Sequence, residues 1–270
     1  MKNKILFLGT GGGRFAMITQ TRSTAGFIIY LEDLNIYVDP GPGALVKCRE
    51  NNVNLSKIDV LFISHAHVDH INDFAPIAEA ITNGGFSRRG VLIAGESCFN
   101  KENTIHISKY HANMFSKVFC AKPGESINLN NYKFVFTPTK HDIDGNVGFV
   151  LIGKKMKIGY TSDTIFIPSL IDYFADVDVL ILNLMRFDKG RQNMQMDVND
   201  AKLLLKKINP KLVIATHFGM SMLRRDIGSV LNYLSRETNK KIIEAKDNMI
   251  LDLDNIFRKE KSLTNFFNKK

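Results

Sequence analysis

The sequence predicts an α/β fold in which β-sheets pack face to face between layers of helix. Three observations predict it. Short β-rich segments alternate with helical ones along the whole chain, with no internal repeat and no low-complexity tract. The strands come in runs, and the helices between them must cover the sheets. With 44% hydrophobic and 23% charged residues among 270, and no Pro-, Gly- or Ser-rich linker, the chain can bury one core. A single domain is expected over 1–255, followed by a basic C-terminal tail at 256–270.

The elements follow in order. Two lysines precede the apolar run Ile5 to Leu8, which ends in glycines after four residues, so 4–8 is an opening strand rather than a signal peptide. Strands are expected at 26–30 and 35–38, and the turn Pro40-Gly41-Pro42-Gly43 leads into a helix at 44–51. A buried strand at 60–63 precedes a helix at 73–82, a strand near Val91 and a helix around 109–116. Paired strands follow at 133–137, 148–152 and 156–160. The second half continues with helix 168–174, strand 179–182, helix 198–208, strand 212–215, helix 225–238 and strands 241–244 and 249–253. In 225–238, Ile227, Val230, Leu231 and Leu234 recur at helical spacing and mark a core face. The longest apolar runs fall far short of the roughly 20 residues that span a bilayer, so no membrane association is expected.

Cys48, Cys98 and Cys120 are odd in number and widely separated, which argues against a disulfide framework or a cysteine zinc site and favours the reducing cytoplasm. The net charge of +9 favours an anionic ligand. Part of the excess lies in the tail, where Arg258, Lys259, Lys261, Lys269 and Lys270 face only Glu260, the pattern of a solvated segment.

The sharpest chemical signal is Ser64-His65-Ala66-His67-Val68-Asp69-His70, directly after strand 60–63. Three of the chain's seven histidines crowd into six residues. In an extended or turning segment, His65 and His67 converge on one ion while Asp69 and His70 reach a second. Zinc accepts imidazole and carboxylate together, so the ligand mix is chemically coherent. Three further candidates follow later strands: His141 in Thr139-Lys140-His141-Asp142, Asp163 in Thr161-Ser162-Asp163, and His217 in Ala215-Thr216-His217-Phe218-Gly219. A rigid sheet positions such side chains at one rim.

This pattern resembles the metallo-β-lactamase superfamily over nearly the whole chain. The resemblance implies a four-layer αββα sandwich and two zinc ions, with manganese as the alternative. It implies that His65, His67 and His141 hold one ion, that Asp69, His70 and His217 hold the other, and that Asp163 bridges both. Asp39, in Val38-Asp39-Pro40-Gly41, matches an aspartate beside the site that orients a ligand imidazole. The implied reaction is hydrolysis by a metal-bridging hydroxide, with Asp69 orienting it and relaying its proton. A diiron oxygen reductase would show a glutamate in place of His67, and the short spacing from Asp163 to His217 leaves no room for the inserted domain of β-CASP nucleases.

Phe7-Leu8-Gly9-Thr10-Gly11-Gly12-Gly13, Thr21-Arg22-Ser23-Thr24 and Val38-Asp39-Pro40-Gly41 resemble the ribonuclease Z branch, including its cyclic-nucleotide phosphodiesterase relatives. The glycines also have a plainer reading as a turn that supplies positive φ angles. Two departures count against a tRNA 3′-processing endonuclease. The segment between His141 and Asp163 is too short for an exosite arm, and Leu184-Met185-Arg186 stands where that branch shows a glutamate- and histidine-containing motif. A small or cyclic nucleotide, or another compact phosphodiester, is therefore the expected substrate, with nucleic acid as a second class of partner. A lactonase or thioesterase and a metal-stabilised nucleotide-binding protein are the competing readings. Arg22, Arg88, Arg89 and Arg186 are candidate phosphate partners against a solvated alternative. His111 is a candidate substrate ligand or general acid against a helix-surface alternative, and His106 reads as structural. The resemblance also implies a homodimer.

Overall fold

The computed structural model describes residues 3–190 and 194–256; the expected basic tail lies outside the described residues apart from Ile256. Six strands form most of one sheet: β1 (Lys4–Phe7), β2 (Phe27–Tyr30), β3 (Asn35–Val38), β4 (Val60–Ile63), β5 (Val91–Gly95) and β6 (Lys117–Ala121). The next seven form the other: β7 (Ser126–Leu129), β8 (Tyr132–Thr137), β9 (Gly148–Ile152), β10 (Lys157–Tyr160), β11 (Val179–Asn183), β12 (Leu212–Thr216) and β13 (Ile242–Glu244). The last strand, β14 (Met249–Asp252), returns to pair with β1, so the sheet orders are β14-β1-β2-β3-β4-β5-β6 and β13-β12-β11-β10-β9-β8-β7.

Period-two alternation explains the layering. In β1, Ile5 and Phe7 face the other sheet while Leu6 faces outward. In β4, Val60 and Phe62 point inward and Leu61 and Ile63 outward; in β11 and β12, Val179, Ile181, Leu212 and Ile214 point inward and Leu180, Leu182, Val213 and Ala215 outward. Every one of these positions is apolar because both faces of each sheet are covered. Aromatic rings tie the sheets together: Phe62 of β4 stacks edge-on against Phe149 of β9 with centroids 4.8 Å apart, and Phe149 in turn meets Phe134 and Tyr160. Helices Ala44–Glu50 and Phe74–Thr82 cover the first sheet, and Val198–Leu205 and Ile227–Thr238 cover the second.

The pairing also decides where a site can form. β1 runs antiparallel to β2 and β2 to β3, which makes β1 parallel to β3 and β4. The same logic aligns β8 with β10, β11 and β12. The carboxyl ends of all seven strands therefore reach one rim, where open α/β sheets place their ligands. The two sheets are stitched together there by Phe218 N–H donating to Thr10 O (2.8 Å), Gly12 N–H to Phe218 O (3.1 Å) and Val147 N–H to Ser64 O (3.2 Å).

Several elements differ from expectation. A helix at Gly13–Thr19 follows the glycines, unannounced because Phe15 and Ile18 face solvent and only Gly13 and Ala16 are buried. β6 and β7 are half-exposed edge strands without a continuous apolar run, which hid them. The helix expected over 109–116 spans only Lys109–Ala112. Replacing Phe149 by Ala removes the ring that links the sheets; we expect a loss of about 3–5 kcal/mol and a fall in Tm of roughly 10 °C. Thermal unfolding of Phe86→Ala, at a 91% exposed position, should stay within about 0.5 kcal/mol of wild type.

Candidate metal centre

Each functional side chain sits one to seven residues beyond an apolar strand. After β4 the chain bends at Ala66, and His67, with extended backbone, caps a single helical turn, Val68–Ile71. His65 and His67 thus stand on either side of a bend, while the helical turn carries Asp69 and His70. At three other strand ends the chain reverses through the left-handed region: Asp39 after β3 (φ 52°), Ser162 after β10 (φ 55°) and His217 after β12 (φ 59°). For residues with a Cβ this costs on the order of 1–2 kcal/mol each, and strain of that kind collects at functional sites. The glycines serve a second need. A Cβ on Gly12 would lie 2.1 Å from His217 Nδ1, so this position requires close approach rather than a positive φ, which only Gly13 of the Gly11-Gly12-Gly13 run adopts.

The seven side chains singled out in the sequence meet in one cluster. His67 Nδ1 lies 3.1 Å from both His65 Nε2 and His141 Nε2. On the neighbouring side, His70 Nε2 and His217 Nε2 are 3.0 Å apart, with Asp69 Oδ2 at 3.7 Å and 3.3 Å from them. Asp163 Oδ2 stands between, 3.5 Å from His70 Nε2 and 3.9 Å from His141 Nε2. His65, His67 and His141 form one group that could hold a metal ion, Asp69, His70 and His217 another, and Asp163 shares a third with His65 and His70. The donor set fits a cation: five imidazoles and two carboxylates converge, and within each group the ligand atoms lie within 4.8 Å of one another.

A second layer fixes which nitrogen faces inward. Asp39 accepts from His70 Nδ1 (2.9 Å), Ser64 N–H (2.7 Å), Ser64 Oγ (2.8 Å) and Tyr160 OH (2.6 Å), the orienting arrangement expected of it. Ser64 Oγ also lies 2.9 Å from His65 Nδ1, and His141 Nδ1 donates to Met194 O at 2.8 Å. Asp163 receives Asn183 Nδ2 on one oxygen (2.7 Å) and Gln195 Nε2 on the other (2.9 Å), while Gly13 N–H holds Asp69 Oδ2 at 2.6 Å.

The electrostatics follow from this packing. Burial works to raise the Asp163 carboxyl, yet the charges of His217 and His70 hold it well below the usual range. Burial likewise works to raise Asp69, which His70 and His217 pull down. His70 is the converse: burial disfavours its charge, but Asp163, Asp69 and Asp39 surround it and push its pKa well above 6.5. His65, buried beside His70 and His141, is pushed well below it.

Other sequence candidates settle elsewhere. Arg22 pairs with Glu244 and donates to Ala245 O, Arg88 caps Phe115 O, and Arg89 holds Ile58 O and Asp59, so all three tie loops rather than face the cluster. Arg186 Nε donates to Asp188 O on the surface. His111 turns Nδ1 to Ser108 Oγ (2.9 Å) and Nε2 toward Glu79 (3.5 Å), and no hydrogen bond, ion pair or ring contact among the described residues joins it to the cluster. Sequence reading missed Asn183 and Gln195. Asn183, the polar end of an apolar strand, carried the same signal as the others; Gln195 sits in an aperiodic segment that offered none.

Comparison with known proteins agrees with this fold. A family model described as the Beta-lactamase superfamily domain matches residues 34–218. The uncharacterized protein MJ1374 of Methanocaldococcus jannaschii is 39% identical over 259 residues, covering 94% of this chain and 97% of that protein. A ribonuclease Z of Clostridium novyi is 25% identical over 311 residues, covering 92% and 98%. The crystal structure of the metallo-β-lactamase fold protein YhfI from Bacillus subtilis superposes with a TM-score of 0.76 at 19% identity, covering 92% and 98%.

In the metal-free protein, histidine NMR titration should find His70 still charged at pH 7 and His65 neutral. Asp39→Asn removes one of the charges that hold the His70 proton, and should move its titration toward the ordinary value of about 6.5.

Proposed function

The chain belongs to the β-lactamase superfamily, and from that premise we propose a metal-dependent hydrolase that cleaves a small or cyclic nucleotide or another compact phosphodiester. The observation that carries the reading is the pair of ligand groups flanking one buried carboxylate. His65, His67 and His141 are assigned to one divalent ion, Asp69, His70 and His217 to the second, and Asp163 to both, with zinc favoured by the imidazole-rich set and manganese as the alternative. Bound there, two dications lower the pKa of a water and polarise the substrate oxygen. The residues of the chain do the rest. Asp39 keeps His70 Nδ1 occupied and its Nε2 free, Ser64 does the same for His65, and Met194 O does so for His141. Asp69, pinned by Gly13 N–H, offers its carboxylate at the centre to orient the attacking water and take its proton.

The phosphodiester assignment is supported by the opening motifs, which resemble the ribonuclease Z branch, and by the relative of that name. A cytoplasmic site of action is supported by three free cysteines, two of them buried, and a homodimer by the branch resemblance alone.

The test uses zinc-loaded protein with bis(p-nitrophenyl) phosphate and with 2′,3′- and 3′,5′-cyclic nucleotides. Cleavage is expected to stop on chelation, and Asp163→Ala, with its fold checked by circular dichroism, should lose at least about 100-fold in rate. Opening of lactones or thioesters with no phosphodiester cleaved would contradict the assignment.

A further inference from the structure

Three of the five imidazoles in the cluster have a partner on the nitrogen that faces away from it: Asp39 on His70 Nδ1, Ser64 Oγ on His65 Nδ1 and Met194 O on His141 Nδ1. His67 is turned the other way round. Its Nδ1 meets His65 Nε2 and His141 Nε2, at 3.1 Å each, so its Nε2 faces outward. Asp142 stands there, with Oδ1 3.7 Å from His67 Nε2 and 2.9 Å from His141 Nε2.

The Asp142 side chain is 62% exposed, yet the backbone on both sides of it is fixed. Buried His141 precedes it, bonded to Met194 O, and Ile143 follows it, packed against the apolar layer outside the first sheet. Beyond them, Gly145 O accepts Ser97 N–H at 3.4 Å and Val147 N–H donates to Ser64 O at 3.2 Å. A tethered loop thus aims the carboxylate at the two imidazoles.

A carboxylate only accepts hydrogen bonds, so the 2.9 Å contact uses a hydrogen on His141 Nε2. His141 Nδ1 already donates to Met194 O, which leaves Nε2 as the nitrogen that this ring offers to an ion. With Nε2 so occupied, that hydrogen is gone and Asp142 Oδ1 is released. The neighbouring donor is His67 Nε2, which carries a hydrogen whenever Nδ1 is the ligand atom.

Resting on the assignment of His65, His67 and His141 to one divalent ion, we infer that Asp142 is the positioning residue of His67. Its carboxylate holds the outward Nε2–H and fixes the ring with Nδ1 toward the ion. It also brings a negative charge to the group built from imidazoles alone, as Asp69 does for the other group.

The experiment titrates zinc into wild type and Asp142 variants against a competing chelator, and assigns each bound ion from the ring-nitrogen NMR shifts of His67 and His217. Asp142→Ala should weaken the ion at His65, His67 and His141 by about 10–100-fold and leave the ion at His217 unchanged. The His67 Nε2 hydrogen should appear in the proton spectrum of zinc-loaded wild type and be lost to exchange with water in Asp142→Ala. Asp142→Asn, which keeps an accepting oxygen without the charge, should retain that hydrogen and lose part of the affinity. Equal affinity in wild type and Asp142→Ala, with the ion bound at His67, overturns the role of Asp142 and leaves the ion assignment standing. Cobalt-loaded Asp142→Ala whose visible absorption shows one ligand fewer than wild type makes Asp142 a ligand of the ion itself, and overturns the positioning role too. Wild type in which zinc never shifts the His67 ring overturns the ion assignment, and this inference with it. No substrate is present in any of these measurements, so their outcome is separate from the phosphodiesterase reading.

Discussion

A carboxylate with 1% exposure, Asp163, lies among the imidazoles of His70, His141 and His217, and the arrangement of the rim depends on that burial. Taking a charge out of water costs several kcal/mol unless it is paired and hydrogen-bonded. Asp163 has both kinds of compensation: charged His70 beside it, and two amides, from Asn183 and Gln195, on its oxygens. Asn146 adds a hydrogen bond to its carbonyl at 2.6 Å, which fixes the backbone that aims the side chain. On either side of it stand the groups of imidazole and carboxylate that could hold a metal ion.

The fold supplies the rigidity this balance needs. Strands of both sheets end at one rim, and cross-sheet hydrogen bonds among Thr10, Gly12 and Phe218 prevent the two halves from separating there. Asp247 contributes from the β13–β14 connection, accepting Thr10 N–H (2.9 Å), Thr10 Oγ1 (2.6 Å) and Ser23 N–H (2.8 Å), so the glycine-containing loop beside His217 is anchored to the far end of the chain. The left-handed residues Asp39, Ser162 and His217 persist because these surroundings over-determine them.

The architecture was legible wherever a strand was buried on both faces, since β4, β11 and β12 have no polar residue to blur the pattern before the rim. Edge strands β6 and β7, exposed along one side, left no such trace, and helix Gly13–Thr19 was hidden because its apolar Phe15 and Ile18 point outward. In the site, ligand-type residues placed just after apolar runs announced themselves by chemistry and position together. Asn183 had the position without a ligand's chemistry, and Gln195 had neither; its role arises from a backbone fold that brings residue 195 back over residue 163. The arginines show the opposite failure. Charge suggested phosphate, but Arg22, Arg88 and Arg89 spend their donors on carbonyls and carboxylates of neighbouring loops.

The central claim is that two adjacent ligand groups share one carboxylate and act as a pair. Anomalous diffraction at the zinc edge from crystals of zinc-loaded protein tests it most directly. The account predicts two peaks, one among His65, His67 and His141 and one among Asp69, His70 and His217, with Asp163 touching both. A single peak, or two peaks with Asp163 bound to neither, would contradict it.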